Sequence, residues 1–173
     1  MLMLALTAFA AHADAKTDAL IEAARHNVTA KVKRLIAAGA DVNARNEGTW
    51  TALMYAARYN ATDMAEPLLA AGAVVDAKDR YGCTALMFAA DGNSADVAKL
   101  LLAAGADINA KDNDGKTTLM FAAANNSSDV ARLLLAAGAD VNAKDDYGKT
   151  ALMYATFNEA MDVAELHKAS GAQ

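Results

Sequence analysis

This chain of 173 residues holds one cysteine, one proline and three histidines, and each scarcity excludes something. The lone cysteine, Cys83, cannot form an internal disulfide. The histidines, His12, His26 and His167, could build a catalytic or metal centre only by converging, and they lie far apart in the chain. Aromatic residues make up only 6%, so the few present stand out. Basic residues are outnumbered, giving a net charge of −5, which argues against binding nucleic-acid phosphates. No apolar run is long enough to span a bilayer as an ordinary helix. The apolar fraction is still 55%, and much of it is alanine, which points to close helix–helix packing.

The first residues read differently from the rest. Met1 to Ala11 form an uncharged apolar run, followed by the small-x-small sequences Ala11-His12-Ala13 and Ala13-Asp14-Ala15. That pattern fits a signal peptide over residues 1–15, although no lysine or arginine precedes the apolar run. The expected mature chain is therefore exported, periplasmic or secreted, and bacterial in style. If residues 1–15 are instead a capping helix, the protein is cytoplasmic.

What is abundant is repetition. Gly39, Gly72, Gly105, Gly138 and Gly171 recur every 33 residues, and a Thr-x-Leu-Met block begins at Thr51, Thr84, Thr117 and Thr150. Within Lys78 to Ala110, residues 78–83 carry turn chemistry and predict a hairpin-like tip. Thr84 offers a cap for a short helix over Ala85 to Asp91. Gly92-Asn93 should break it, and a second helix should start at Ser94, again as a cap. Val97, Leu100, Leu101 and Leu102 give this helix a broad apolar face, and Gly105 fits a left-handed C-cap. Two short helices cannot bury so much leucine alone, so neighbouring units must cover each other. Full units are expected at 45–77, 78–110 and 111–143, with partial ones at 17–44 and 144–173. His167 and Lys168 replace the leucines of the middle units, so both should present polar atoms to solvent at an uncovered end.

These segments, Gly82-x-Thr84-Ala85-Leu86-Met87-x-Ala89-Ala90 and Asp96 to Ala110, resemble the ankyrin-repeat family over residues 17–173. The resemblance implies an all-α solenoid of stacked helix-turn-helix units with projecting β-hairpin-like loops. It also implies a non-catalytic role in binding another protein. The family's histidine is replaced by Met54, Met87, Met120 and Met153; methionine is expected to substitute packing for the histidine–threonine hydrogen bonds. Unit 45–77 departs further: Gly48 comes one place early, and Pro67 should bend or loosen the second helix.

Chemistry-bearing alternatives are weaker than structural ones. A methionine ladder could hold a soft metal, but equivalent side chains in successive units are too far apart to share an ion. The Asp-x-Asn pairs at Asp41, Asp107 and Asp140 lack the rest of a calcium loop and read as turn-bonding side chains. Cys83 reads as an incidental surface thiol. No catalytic residue, cofactor or metal site is expected, nor a membrane span in the mature chain.

The family resemblance assigns partner contacts to the tips and the exposed ends of the first helices. On this chain those positions are Trp50, Arg58 and Tyr59; Arg80, Tyr81 and Asp91; Asn113, Asp114, Lys116 and Asn125; and Asp146, Tyr147, Lys149, Phe157 and Asn158. They vary between units, and several are of the types that dominate binding interfaces. The expected function is a monomeric scaffold that binds a partner protein through a concave face. The alternative is a structural or oxidative-stress-protective periplasmic factor whose methionines or Cys83 are oxidised.

Overall fold

The computed structural model describes residues 15–171, so the proposed leader lies outside the described residues, except for Ala15 at the start of the first helix. The described residues form ten helices and no named strand. The helix over residues 15–25, α1, is followed by α2 (Thr29–Ala37), α3 (Ala52–Arg58) and α4 (Thr62–Ala70). Then come α5 (Ala85–Asp91), α6 (Ala95–Ala103), α7 (Thr118–Ala124), α8 (Ser128–Ala136), α9 (Ala151–Phe157) and α10 (Met161–Ala169). The expected helix boundaries of the type unit thus match α5 and α6.

The helices pack in two layers. α3, α5, α7 and α9 follow one another in the first layer, and α2, α4, α6, α8 and α10 in the second. Leu53, Leu86 and Leu119 are buried at equivalent places in the first layer, and Leu68, Leu101 and Leu134 in the second. Between them sit the small residues Ala57, Ala90 and Ala123, all fully buried, which let the helices approach closely. Each unit buries its leucines against the next, as a stacked array requires.

The joints explain the recurring polar residues. The left-handed position after the first helix of the first four units is held by Asn27, Asn60, Asn93 and Asn126, with φ of 54°, 51°, 49° and 51°. Asn60 Oδ1 accepts a hydrogen bond from the Val97 amide in the first turn of α6 (3.1 Å), and Asn93 Oδ1 accepts from Val130 in α8 (3.4 Å). One asparagine therefore ends its own unit's first helix and caps the next unit's second helix. This corrects the expectation for Ser94, whose hydroxyl makes no cap bond and instead donates to the Arg58 carbonyl (3.5 Å). In the last unit the left-handed residue is Glu159 (φ 56°).

Gly105 takes the left-handed conformation expected of it, with φ 86°. Unit 45–77 keeps the stack's register despite its displaced glycine, because Thr49 adopts the left-handed conformation (φ 63°) that Gly82 has in the next unit (φ 79°). Pro67 lies inside α4, which nevertheless runs the same nine residues as α6.

Three further expectations are overturned. Methionine does enter the threonine network: the Thr51, Thr84 and Thr117 amides donate to Sδ of Met54, Met87 and Met120 at 3.4, 3.5 and 3.4 Å. His167 is fully buried rather than facing solvent, with its Nδ1 2.7 Å from the Val163 carbonyl. α10 turns that position inward, as α6 and α8 turn Leu101 and Leu134; only Lys168 is exposed. Cys83 is buried too, packed with Met87 and Ala110 beneath Phe88 and Phe121; its amide donates back to Asp79 Oδ1 (2.9 Å) just before the capping Thr84.

Candidate functional site

Each tip is organised by one side chain. Asp79 Oδ1 accepts from the Tyr81 and Cys83 amides (2.8 and 2.9 Å), Asp112 Oδ1 from Asp114 and Lys116 (2.9 and 2.8 Å), and Asp145 Oδ1 from Tyr147 and Lys149 (2.9 and 2.8 Å). Asn46 Oδ1 does the same for Trp50 (2.9 Å). Successive tips are stitched along the backbone: Asn113 N–H donates to the Tyr81 carbonyl (2.9 Å) and Asp146 N–H to that of Asp114 (3.0 Å). Lys78 Nζ reaches the Lys111 carbonyl and Lys111 Nζ the Lys144 carbonyl, each at 2.8 Å. The tips therefore form a connected ledge beside the first-helix layer.

The fifteen residues assigned to partner contact divide into two groups. The first is engaged within the stack. Trp50 is half-buried, its ring 4.0 Å from that of Phe88 and 4.9 Å from that of Tyr55, so it is a packing residue more than an anchor. Arg58 pairs with Asp91 across units at 2.8 Å. Arg80 donates to the Glu47 carbonyl, and Asn113 Nδ2 to the Arg80 carbonyl (3.0 Å). Lys116 pairs with Asp114 at 3.2 Å. Asn125 and Asn158 donate to the Phe121 and Tyr154 carbonyls of their own helices, each at 3.0 Å. The Asp146 carboxylate leans back toward Gly115 of the preceding tip.

The second group projects. Tyr81 is 64% exposed, Tyr147 72% and Phe157 87%. Tyr59 is exposed but anchored through its hydroxyl, which donates to the Arg25 carbonyl (3.0 Å). Lys149 is exposed, with Nζ 5.7 Å from the centroid of the Tyr154 ring. Beneath it, Tyr154 donates its hydroxyl proton to Asp145 Oδ2 at 2.7 Å. Burial, followed by this bond to a carboxylate, pushes the Tyr154 phenol well above its ordinary range.

Sequence reading missed one member of this surface. Met153 is 52% exposed, whereas Met54, Met87 and Met120 are buried, because no described residue covers the outer side of α9. The only signal available was its place in the last unit. Together with Phe157, Tyr154, Lys149, Asn158 and Ala124, Met153 lines a groove of about 390 Å³. A larger groove of about 650 Å³ lies along the second helices, between Lys99 and Arg132, with Asp96 and Asp129 among its lining.

The reactive groups do not gather. His26 contacts Glu22 at 2.8 Å in the first unit, while His167 is buried in the last. Burial first, then the Asp79 and Asp112 carboxylates, push the Cys83 thiol up to about 12, the opposite of an activated nucleophile. Among the described residues, no three His, Cys, Asp or Glu side chains are placed to hold a metal ion. No described helix is long and apolar enough to cross a membrane. What the surface offers chemically is recognition: aromatic side chains on a ledge held by backbone and side-chain bonds.

A family model for ankyrin repeats (3 copies) matches residues 4–79, 20–112 and 86–172. No curated protein matches the chain.

Proposed function

We propose, since this chain belongs to the ankyrin-repeat family, that it is a non-catalytic scaffold binding one partner protein through its tips and first helices. Ankyrin repeats are generally protein–protein interaction modules. The observation that carries the reading is three large exposed rings, Tyr81 and Tyr147 on the stitched tips and Phe157 at the end of α9. Rings held out by a rigid support lose little freedom on binding, and such residues dominate binding energy. The mechanism is recognition by shape and a few aromatic anchors, with no chemical step. The acidic balance of the chain favours a protein partner over nucleic acid. The working form is a monomer.

The alternative, an oxidation-protective factor, requires accessible sulfur. Met54, Met87, Met120 and Cys83 are buried, which weighs against it and leaves Met153 and Met161 as the exposed thioethers of the described residues.

The apolar run at residues 1–11 supports export to a bacterial periplasm, with 1–15 as a removable leader. N-terminal sequencing of the native protein should begin at Lys16; a retained Met1 would place the run in a terminal repeat and the protein in the cytoplasm.

The binding role is tested by crosslinking capture from the native host's periplasmic fraction. The mature chain is compared with the Tyr81→Ala, Tyr147→Ala, Phe157→Ala variant. A partner retained by the first and lost by the second, at equal helicity, supports the reading. Equal capture by both contradicts it.

A further inference from the structure

We propose that protonation of His167 opens the joint between the fourth and fifth units, separating Tyr147 and Phe157 from Tyr81 on the binding face. This rests on the protein-binding reading above and adds a means of regulating it.

His167 occupies a core position with a side chain that can become charged. Leu68, Leu101 and Leu134 fill the equivalent place in the second, third and fourth units, and His167 is buried as fully as they are. Its helix, α10, packs on α9 of its own unit and on α8 and α7 of the fourth. Nδ1 is held by the Val163 carbonyl one turn back (2.7 Å), and Nε2 has no partner among the described residues. A neutral ring leaves only one weak acceptor unbonded. A protonated ring would bury a positive charge and a donor without an acceptor, which costs far more.

No described carboxylate offsets that charge. The charged side chains of α8 are Asp129 and Arg132, and those of α10 are Asp162, Glu165 and Lys168; all five are exposed. α7 has no titratable side chain, and α9 has only Tyr154, whose hydroxyl is bonded to Asp145. Glu159, in the turn between α9 and α10, is exposed as well. Burial and the Val163 carbonyl are the causes that act on the ring, and neither is a charged side chain.

Above pH 6.5 the imidazole is neutral whether the joint is open or closed. Below it, a solvated ring binds the proton while burial holds the enclosed ring neutral. Opening then takes up one proton, so its equilibrium constant rises by up to about tenfold per pH unit. Units of a stacked array contact only their neighbours, so the loss falls at this joint and spares the middle units. Tyr147 and Phe157 belong to the fifth unit and Tyr81 to the third, so an open joint breaks the face between them.

The test is amide hydrogen exchange of the full chain from about pH 7.5 to about pH 5, across the ordinary histidine range, corrected for intrinsic exchange. The opening constant of α10 should climb below pH 6.5 by up to about tenfold per unit, while that of α6 stays level. His167→Leu, which copies the other units, and His167→Gln, which stays polar, should both level α10, because neither takes a proton. A flat response of α10 in the parent would overturn the proposal. So would an equal rise in α6, which would make the opening global, or a slope that survives both substitutions. Partner capture should fall with pH in the parent and hold in His167→Leu; an equal fall in both overturns the link to binding. Exchange needs no partner, so a flat α10 leaves the capture result standing, and failed capture leaves the exchange result standing.

Discussion

Thr84 and Met87 close the N-terminus of α5 from both sides. The Met87 amide donates to Thr84 Oγ1 at 3.4 Å, and the Thr84 amide donates to Met87 Sδ at 3.5 Å. This is a capping box in which a thioether takes the place of a carboxylate or amide acceptor. Sulfur is a weak acceptor, but Thr84 and Met87 are buried, so the alternative is an amide with no partner at all. The same pairing recurs at Thr51 with Met54. In the last unit the Met153 amide still reaches Thr150 Oγ1 at 3.4 Å, while the exposed Met153 side chain lines the groove.

Met87→Leu should therefore cost more than its small change in shape. The expected loss is about 1–2 kcal/mol, from a buried amide left unpaired. Met153→Leu, on an exposed side chain, should stay within about 0.5 kcal/mol of the parent. Urea denaturation of the two variants checks this; equal effects would remove the sulfur from the capping account.

Asn93 has two tasks, so its substitutions should separate them. Asn93→Gly keeps the left-handed backbone and loses the cap on α8, at a cost of about 1 kcal/mol. Asn93→Ala loses the cap and must also strain, and should cost more. Thermal melts of both variants decide. If alanine is the milder change, the backbone conformation is not what selects asparagine here.

Cys83 should behave as a core residue. Its thiol is pushed up to about 12 and lies beneath Phe88 and Phe121. Labelling with a disulfide reagent at mildly alkaline pH should be slow in the native chain and rapid in denaturant. Rapid native labelling would contradict the burial.

His167 should make stability pH-dependent. A carbonyl only accepts, so Nδ1 must carry the proton toward Val163, and buried Nε2 has no partner among the described residues. Burial is the main cause that lowers its pKa from the ordinary 6.5. The unfolded chain therefore binds the proton more readily, and stability present above 6.5 is lost as pH falls below it. His167→Leu, which copies Leu101 and Leu134, should flatten this dependence. An unchanged slope would place the dependence on other groups.

Much of the fold was legible because repetition removes ambiguity. The 33-residue unit read from sequence placed the helix pair α5 and α6, and Gly105 could be assigned its backbone from sequence alone. What was not legible was the direction in which repeated positions face once the stack closes. Cys83 sits next to a tip in sequence yet packs inward, and Trp50 looks like an anchor but fills the space between Tyr55 and Phe88. His167 read as a solvent-facing replacement because its neighbour Lys168 is one. Contacts between units, such as Asn60 capping α6, join residues whose pairing no local pattern reveals. The candidate surface was legible as a list of variable positions. Which of them project was not, because side-chain bonds within the ledge decide that.

On the proposed reading the tips and first helices, not the second helices, form the binding face. The most direct measurement places a photoreactive residue at Tyr81 in one variant and at Arg132, on the opposite groove, in another. The captured partner is expected to crosslink at Tyr81 and not at Arg132. Crosslinking at Arg132 alone would contradict it and move the interface to the second-helix layer.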